Sequence, residues 1–533
     1  MAIDTSSAAE PQCSQGLLRR ATLRVAAATM VSVVFALMVG CAALPADVQR
    51  PASHALVDEQ TSLAQAAAAA MPAVDAQQSG LRLIPDGDQA LASRIALIRR
   101  AERSLDVQTY HVACDATGAL FLSELRNAAA RGVRVRLLVD DLYAARQDAL
   151  YAALAAHANV EVRMFNPLPV RDGSFGARIA LSLHEFSRVN RRMHNKLFIA
   201  DGAFAIAGGR NIADEYYMRS AQANFIDMDV LAAGAVVREL ASVFDGYWNS
   251  EQAYPIGALT ASVNAARFDA LNVAPAEEPV YAARDHFGRE AIPAQLQRGT
   301  LELRPARVQV LVDQPSKAAG AATRTTHAAA TEVFASAQSE LTIVSPYFVP
   351  GDAGLAMLRE VQERGATVNV TTNSLGATDE PLVHAGYSKY RMPLLKMGVK
   401  LQELGASLSQ KSDAVGDFRS SSGRLHAKLV VIDGQRLFIG SMNMDGRSER
   451  HNTELGLVID SRELAAEANE LFRAGAQGAS YRLQLAGAQG RERIEWLARE
   501  KGGEVTHAKE PGRTRGLATK LTLLTALISE DLL

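Results

Sequence analysis

The stretch RRMHNKLFIADGAFAIAGGRN, residues 191–211, has a counterpart in GRLHAKLVVIDGQRLFIGSMN, residues 423–443. Each stretch contains a histidine, a lysine two positions later, an aspartate five positions after the lysine and, beyond a glycine and a small residue, an asparagine. We call the two stretches the first and the second frame. Their histidines, His194 and His426, lie in different halves of the chain. Such a doubled frame predicts a duplicated domain, since chance is a poor explanation for so many matched positions.

The segments that precede the two frames also repeat in the same order. Helix, strand, helix, strand, helix and strand are predicted in the first half, with VQTYHV, VRVRLLVDD and VEVRMF as the strands. The same order recurs in the second half with LTIVSPYF, TVNVTTN and VKLQEL. Strands that alternate with helices favour mixed sheets with helices on their faces. The predicted fold class is therefore α/β, with two tandem domains related by a pseudo-twofold axis and the active site at their interface.

The predicted domain limits follow from changes in composition and hydrophobic pattern along the chain. The two α/β domains are predicted at residues 81–275 and 276–485. Residues 42–80 are rich in Ala, Gln, Ser and Pro without a core pattern, which predicts a flexible linker. Residues 486–533 are predicted to form a tail with an amphipathic helix, either on a membrane surface or packed on the body; its apolar residues are Leu517, Leu521, Leu524 and Ile528.

The N-terminal residues 1–41 have the pattern of an export signal. Three arginines, the last of them Arg24, precede an apolar run that ends at Cys41. The run is short for a spanning helix, which needs about 20 residues, and LMVGC resembles the lipidation box of bacterial lipoproteins. Three interpretations stay open: a lipoprotein lipidated at Cys41, an uncleaved N-terminal anchor, and a misassigned start or cytosolic segment. The first two predict a protein associated with a bacterial cell membrane and facing the periplasm.

Composition excludes some classes of protein. The formal net charge of −2 over 533 residues weighs against a strongly basic nucleic-acid-binding domain. Three cysteines are too few for a disulfide framework or a Cys-rich zinc site. Because the spacings typical of metal ligands are also missing from the sequence, no metal site is predicted.

The residues of the frames suit phosphoryl transfer. His194 and Lys196 are two apart on a predicted strand, so their side chains project from one face, and the same holds for His426 and Lys428. Lysine supplies a compact positive charge and asparagine supplies amide N–H donors. Two such halves would cage a phosphate while one imidazole attacks phosphorus and the other exchanges protons. The predicted phosphate-binding residues are Lys196, Asn211, Lys428 and Asn443.

Acidic partners are expected for the two histidines, since a nucleophilic imidazole must be neutral and correctly oriented. In the second half, Glu454 stands on the strand that follows the frame of His426. In the first half, the equivalent strand after the frame of His194 offers Asp227, with Asp229 as second choice. Glu215 is nearer in sequence but is expected in a loop. The predicted orienting residues are therefore Asp227 for the first half and Glu454 for the second.

The aspartates of the frames are predicted to be structural. Asp201 and Asp433 each precede a glycine between two apolar runs, the pattern of a tight hairpin turn. They are counted with the catalytic motif because they belong to the frame, but their expected task is to hold the hairpins. Farther along, Tyr347 and Phe348 are aromatic residues after a strand, which fits either a core position or the entrance for a lipid.

The frames resemble the signature of the phospholipase D superfamily, H-x-K-x4-D-x6-G-(G/S)-x-N in two copies. The matched residues are His194, Lys196, Asp201, Gly208, Gly209 and Asn211 in the first copy, and His426, Lys428, Asp433, Gly440, Ser441 and Asn443 in the second. The resemblance covers roughly residues 81–485. It implies chemistry without a cofactor or a metal, with His194 as nucleophile and His426 as general acid and base. The sequence itself leaves the choice between the two histidines open.

Within that superfamily, the surroundings look closest to bacterial cardiolipin synthases of the third, exported or anchored type. The segments that carry this likeness include QTYHVACDATG, LLVDDL, IVSPYFVPGDAG and TTNSLGATDEPLVHAGY. The resemblance implies a membrane-associated phosphatidyltransferase that uses phospholipids, phosphatidylglycerol and in this type also phosphatidylethanolamine. The alternatives are a phospholipase D that forms phosphatidic acid, a nucleic-acid phosphodiesterase, and a lipid-binding lipoprotein without activity.

Overall fold

The computed structural model describes residues 43–71, 75, 77–274, 277–409, 421–500, 503–514, 516 and 521. The described chain forms two halves, which meet near residue 303. In chain order the elements of the first half are α1 (Ser62–Ala70), β1 (Ser79–Ile84), α2 (Gly87–Arg100), β2 (Ser104–Thr109), α3 (Ala116–Ala130), β3 (Arg134–Asp140), α4 (Asp148–Ala155), β4 (Val160–Phe165), α5 (Phe175–Leu181), α6 (Phe186–Val189), β5 (Leu197–Ala200), β6 (Phe204–Gly208), β7 (Ala223–Ile226), β8 (Asp229–Gly234), α7 (Ala235–Trp248), β9 (Ala253–Pro255), α8 (Phe268–Leu271) and α9 (Ile292–Arg298).

The second half repeats this order and then continues with further strands. Its elements are β10 (Arg304–Val312), α10 (Thr326–Ala335), β11 (Glu340–Val344), α11 (Gly351–Glu363), β12 (Thr367–Asn373), α12 (Pro381–Ser388), α13 (Arg391–Lys396), β13 (Lys400–Leu404), α14 (Ala406–Ser409), β14 (Ser422–Leu425), β15 (Leu429–Ile432), β16 (Arg436–Gly440), α15 (Gly446–Arg450), β17 (Leu455–Asp460), α16 (Arg462–Ala479), β18 (Ser480–Ala486), β19 (Arg493–Glu500) and β20 (Gly503–His507).

The two sheets have matching strand orders. The first is β1-β8-β6-β5-β2-β3-β4-β9, in which β2, β3 and β4 are parallel and the other pairs are antiparallel. The second is β10-β17-β16-β15-β11-β12-β13-β18, with the same directions, and β19 and β20 extend it. The parallel strands contain polar as well as apolar residues, yet most of their residues are buried, including all six of β2. The predicted α/β class with two tandem mixed-sheet units is confirmed.

Among the described residues, strand pairing joins the halves at three places. β1 pairs with β10, so the two sheets share an edge. β7 of the first half pairs in parallel with β14 of the second. At the matching place on the other side, Met193 forms a parallel bridge with Thr453. One cluster of buried apolar side chains contains residues of both halves, including Leu240 and Trp248 of α7 and Leu464 of α16. The interface is therefore part of the hydrophobic core. A site between the two halves is held rigidly by this packing.

The prediction of a flexible linker at residues 42–80 is wrong for the residues that the structure describes. α1 buries Leu63 and Ala67 against the first half. Before it, the backbone N–H of Ala55 donates to Asp245 at 2.8 Å, and Arg136 donates to the carbonyl of Ser53 at 3.0 Å. Alanine has the highest helix propensity and lets a helix approach its neighbours closely. The segment therefore packs without the large apolar residues that mark most core helices.

The predicted boundary between residues 275 and 276 is also wrong. Arg82 on β1 pairs with Asp285 at 3.0 Å and hydrogen-bonds Gln295 at 2.5 Å, and Leu296 of α9 lies in the core of the first half. The second half begins instead at β10, close to Arg304. Residues 277–303 have one short helix and little hydrophobic periodicity. The sequence therefore does not indicate that these residues pack on the first half.

The second unit continues beyond the predicted limit at residue 485. β19 and β20 extend its sheet to His507, and Glu510 is buried against α12 and α13. The amphipathic helix predicted for the tail lies outside the described residues apart from Leu521, and Cys41 lies outside them as well. Within the described part of the chain, every helix is too short or too polar to cross a bilayer.

Candidate active site

Both frame histidines line one cavity of about 600 Å³ between the two halves. Asn211 and Asn443 line the same cavity. Each histidine lies in the extended segment immediately before a hairpin, β5–β6 for His194 and β15–β16 for His426. The backbone of each is tied to the opposite half: His194 N–H donates to Thr453 at 2.9 Å, and His426 N–H donates to Ile226 at 2.8 Å. The structure thus brings together the two copies that the sequence separates.

The imidazoles are held by carboxylates in a crossed arrangement. Nδ1 of His194 lies 3.0 Å from Glu454 Oε2, and Nδ1 of His426 lies 2.6 Å from Asp227 Oδ2. The structure places the two predicted carboxylates on the imidazoles, but the predicted pairing within each half is wrong. The strand pairing explains the exchange. Asp227 follows β7, which pairs with the strand before His426, and Glu454 follows Thr453, which bridges to Met193.

The other acidic residues considered from the sequence have different neighbours. Asp229 pairs with Arg94 at 2.9 Å and with Arg210 at 3.2 Å. Glu215 lines the cavity, on the short helical turn between β6 and β7. Arg210, which pairs with Asp229, also donates to the carbonyl of Asp227, so Asp229 stabilises the backbone of Asp227 indirectly. Glu215 instead forms part of the cavity wall.

The two orienting carboxylates are supported differently. Glu454 accepts hydrogen bonds from the hydroxyls of Ser441 and Ser448, the second at 3.0 Å. Asp227 accepts one from its neighbour's backbone, Met228 N–H, at 2.8 Å. At the frame position that Ser441 occupies, the first half has Gly209, where a Cβ atom would lie 2.3 Å from Asp227 Oδ1. The small residue of each frame is thus fitted to the carboxylate beside it.

The charges of this site shift the pKa values of the imidazoles and their partners. Burial lowers the pKa of His194 to about 4, against the opposing effect of Glu454, and burial also lowers the pKa of His426. Burial alone would raise the pKa of Asp227, but His426 and then Lys428 lower it well below its usual range. Both imidazoles are therefore neutral near pH 7. With Nδ1–H donating to Glu454, His194 has its lone pair on Nε2.

The lysines are buried beside the histidines. Nζ of Lys196 donates to the carbonyl of His194 at 2.7 Å, and Nζ of Lys428 donates to that of His426 at 2.5 Å. Burial and the positive charge of Lys428, against the opposing effect of Glu454, lower the pKa of Lys196 to about 7. Burial also lowers the pKa of Lys428, to about 8. An anion in the cavity would relieve this destabilisation of the ammonium groups, so the site is suited to a phosphate.

The two asparagines have spare hydrogen-bonding capacity. The side-chain amide of Asn211 donates to the hydroxyl of Tyr216 at 2.9 Å, and the backbone N–H of Asn443 donates to the hydroxyl of Ser448 at 3.2 Å. Among the described residues, the side-chain oxygens of Asn211 and Asn443 are buried without a hydrogen-bond partner. The free end of each amide is an acceptor that suits a hydroxyl donor, so a phosphate oxygen would have to be bound by the side-chain N–H groups instead.

The frame aspartates lie away from the cavity. Asp201 and Asp433 have φ angles of 53° and 54°, as expected in the turn of a hairpin. The carboxylate of Asp201 accepts backbone N–H groups of residues 102–104, and that of Asp433 accepts those of residues 338–340. They join each hairpin to the start of β2 or β11. This placement agrees with their predicted structural task and not with their inclusion in the catalytic set.

Aromatic residues complete the walls. The ring of Tyr110 meets His194 edge to face at 5.1 Å, and that of Tyr216 meets His426 at 5.0 Å. Tyr347 lines the cavity and donates to Asp379 at 2.7 Å, whereas Phe348 is fully buried in the core. The sequence argument did not select Tyr110, Tyr216 or Asp379. For Tyr110 a signal was present, since it follows the carboxyl end of a parallel strand, where ligands bind in open α/β sheets.

Comparison with known proteins gives the class to which this site belongs. Residues 95–248 and 330–475 match the family model described as cardiolipin synthase, PLD-like domain. The matched segments cover over half of the chain, and each contains one frame. The chain therefore belongs to the phospholipase D superfamily, in its cardiolipin synthase-like branch, as the frames predict.

Individual relatives extend this assignment. The chain is 38% identical over 444 residues to cardiolipin synthase C of Escherichia coli K12, covering 81% of this chain and 92% of that protein. It is 26% identical to cardiolipin synthase A of Pseudomonas fluorescens, covering 80% and 75%. A solved phosphatidylserine synthase from Haemophilus influenzae has the same fold, with a TM-score of 0.53 at 14% identity, covering 76% and 88%. The chain is thus an enzyme of the phospholipid phosphatidyltransferase or phospholipase D type.

Proposed function

We propose that this protein is a phosphatidyltransferase of the cardiolipin synthase type, which moves a phosphatidyl group from one phospholipid to a hydroxyl of another through a phosphohistidine. The observation that carries the proposal is the crossed pair of histidine–carboxylate contacts in a single cavity that also has two buried lysines beside it. Two imidazoles are required because one must attack phosphorus while the other handles the proton.

In the first step, Nε2 of His194 attacks the phosphorus of the donor lipid. An N–P bond forms, the bond from phosphorus to the leaving headgroup oxygen breaks, and His426 gives that oxygen a proton. Asp227 stabilises His426 while it is doubly protonated, and Glu454 stabilises the positive imidazole of His194. His426 acquires its proton when the anionic phosphodiester enters, because a nearby negative charge raises the pKa of an imidazole.

In the second step, the acceptor hydroxyl enters and His426 removes its proton. The hydroxyl oxygen attacks phosphorus, the N–P bond breaks, and both imidazoles return to their initial state. The ammonium groups of Lys196 and Lys428 and side-chain N–H groups of Asn211 and Asn443 donate hydrogen bonds to the phosphoryl oxygens during both steps. Their fixed placement stabilises the charge that builds up in the transition state, which is commonly the largest contribution to catalysis.

The test is product analysis with the full-length protein and vesicles of phosphatidylglycerol labelled in its glycerol headgroup. We expect cardiolipin and free glycerol, and with phosphatidylethanolamine added as donor we expect release of ethanolamine. With phosphatidylglycerol labelled in its phosphate instead, protein denatured at neutral pH should contain label bound to His194 and lost in His194→Ala; the quench must avoid acid, which hydrolyses an N–P bond.

Other products would identify the competing functions. Phosphatidic acid with glycerol, and no cardiolipin, would mean a phospholipase D in which water replaces the acceptor alcohol. Cleavage of DNA by the wild type, absent from His194→Ala, would mean a nucleic-acid phosphodiesterase. If His194→Ala keeps the full effect of the protein on the lipids of its host, the chain acts without catalysis.

The proposed location is a bacterial cell membrane, on the periplasmic side, through the N-terminal segment. The basic residues, the apolar run and the cysteine at its end support this location. A Cys41→Ser variant is expected to lose a lipid label and to move from the membrane to the soluble fraction. Retention in the membrane without the label would favour an uncleaved anchor.

A further inference from the structure

Several large apolar side chains are exposed in the segments next to Tyr143, which lines the cavity. Among the described residues, ten large apolar side chains are highly exposed, and four of these lie in two neighbouring segments: Tyr143 (40%), Phe175 (44%), Leu183 (49%) and Phe186 (45%). We call these four residues the apolar rim. Clustered exposure of this kind on a protein surface marks an interaction site more often than a packing accident.

The apolar rim is continuous with the catalytic cavity. The ring of Phe175 stacks on that of Tyr143, with centroids 5.5 Å apart and planes 5° apart. Tyr143 lines the cavity and meets Tyr110 edge to face at 5.4 Å, and Tyr110 in turn meets His194. A row of rings thus leads from the exposed surface to the imidazole.

In the segment that carries Phe175 and Leu183, polar side chains are buried and large apolar side chains are exposed. A surface helix normally turns its apolar face to the core. Here the buried positions of α5 and the following turn are Arg178 and Ser182, whereas Phe175 and Leu183 face solvent. Arg178 donates to Asp141 at 2.7 Å and to the carbonyl of Val170 at 3.0 Å. Polar contacts thus hold this part of the segment in place, and burial in this chain does not explain the apolar character of Phe175 and Leu183.

We propose that the apolar rim inserts into the headgroup region of a phospholipid bilayer and holds the cavity mouth against the membrane. This inference rests on the proposed function. A cavity of about 600 Å³ can hold a headgroup and its phosphate but is too small to hold two acyl chains as well, so the chains of a bound lipid must stay in the bilayer. The mouth must then face the membrane, and an apolar border with tyrosine and phenylalanine suits the interface.

Apolar burial, not charge, holds the rim to the lipid. Four of the five arginines between residues 171 and 192 are paired with carboxylates of this chain: Arg171 with Asp141 and Asp148, Arg178 with Asp141, Arg188 with Glu185, and Arg192 with Asp140. Little free positive charge is left for anionic lipids. Contact of the rim with vesicles should therefore survive an increase of salt from about 0.1 to about 0.5 M, over which screening weakens surface charge interactions.

A local fluorescent probe tests the contact in the full-length protein. We expect the tryptophan of Phe175→Trp to shift to the blue on vesicles of phosphatidylglycerol and phosphatidylethanolamine, and to be quenched by brominated lipid about two-fold or more above the control. The control is Val280→Trp, since Val280 is 86% exposed and does not line the cavity. Trp248 and Trp496 are buried and common to both variants. Both variants also keep any attachment that the N-terminal segment supplies.

Equal quenching of the two variants would overturn the proposal. So would a blue shift of the Phe175→Trp emission that depends on protein concentration without vesicles, because a second copy would then cover the rim.

The activity of Leu183→Ser/Phe186→Ser tests the consequence, since neither residue lines the cavity. We expect transfer on vesicles to fall about five- to tenfold, with turnover of monomeric short-chain phosphatidylglycerol unchanged. An equal fall on both substrates, or on neither, would contradict the inference. Failure of the wild type on the short-chain lipid would instead contradict the proposed function.

Discussion

At the scale of single residues, the site depends on contacts between partners that are far apart in the chain. His194 and Glu454 are separated by 260 residues, and His426 and Asp227 by 199. Each half therefore supplies one imidazole and the carboxylate for the other imidazole. Neither half alone has an oriented histidine, so catalysis requires both halves in their assembled positions.

The crossed pairing makes a specific kinetic prediction. We expect Glu454→Gln to slow lipid transfer about 10²–10⁴-fold, because an amide cannot stabilise the positive imidazole of His194. Asp227→Asn should be as slow on the natural lipid. With a p-nitrophenyl ester of phosphatidic acid, whose leaving group needs no proton, Asp227→Asn should recover much of the first step and Glu454→Gln should not. Pre-steady-state release of p-nitrophenol measures that step.

The reverse pattern, with Glu454→Gln recovering on the activated ester, would contradict the assigned roles of the two histidines. Circular dichroism and thermal unfolding of both variants serve as controls for folding.

The buried Lys196 should destabilise the protein while it serves the reaction. Its pKa is lowered by burial to about 7, whereas a lysine in an unfolded chain has a pKa near 10.5. The cost to folding is thus full below pH 7 and disappears as the pH rises through 10.5. Lys196→Met should raise the free energy of unfolding by about 1–4 kcal/mol at pH 7, less at pH 10, and lower transfer about 10²-fold or more.

Urea denaturation at the two pH values measures this effect. Lys317→Met is the matched control, since Lys317 is also buried but pairs with Asp313 at 2.9 Å. Its loss leaves a buried carboxylate unpaired and should destabilise the protein. If both lysine variants are destabilised alike, the buried charge of Lys196 has no net cost.

At the scale of elements, the two frame hairpins are similar but not interchangeable. Gly209→Ser copies the residue of the second frame into the first, where its Cβ would lie 2.3 Å from Asp227 Oδ1. We expect this change to displace Asp227 and to lower transfer about 10²-fold or more. Ser441→Gly introduces no clash but removes a hydroxyl that donates to Glu454 and accepts from Leu455 N–H, and it should lower transfer about tenfold. Steady-state rates compare the two; equal losses would show that the close approach of Gly209 is unimportant.

How far the sequence predicts these elements depends on the range of the interactions. VEVRMF and TVNVTTN match β4 and β12 residue for residue, because local apolar patterning decides a strand. The frames also predict the hairpins and the site residues. The pairing of β7 with β14 lies beyond local patterning, since strand partners from opposite halves of the chain leave no trace in either segment. The crossed carboxylates follow from that pairing and from the bridge between Met193 and Thr453, so the sequence predicts the wrong histidine for each carboxylate.

At the scale of the whole molecule, the end of the described chain stabilises a wall of the cavity. Glu510 lies 2.7 Å from Nε2 of His384 on α12 and accepts from Arg391 of α13 at 2.6 Å. Leu382 and Val383 of the same α12 line the cavity. After β20 the chain thus returns to α12 and stabilises this helix, which contributes part of the cavity wall.

This fastening predicts a loss of stability that depends on pH. Burial opposes the ionisation of Glu510, but His384 and Arg391 hold its pKa at about 2, below the 4.5 of a free glutamate. Its stabilising contribution is therefore complete above pH 4.5 and is lost as the pH falls through 2. Glu510→Gln should lower the free energy of unfolding by about 1–4 kcal/mol at pH 7 and raise KM, because α12 loses its support.

Glu504→Gln, in the exposed pair with Arg482, should change stability by less than about 1 kcal/mol. Chemical denaturation at pH 7 and pH 4 with steady-state kinetics measures both effects. Equal stability of the two variants at pH 7 would mean that this end of the chain lies on the second half without fastening it.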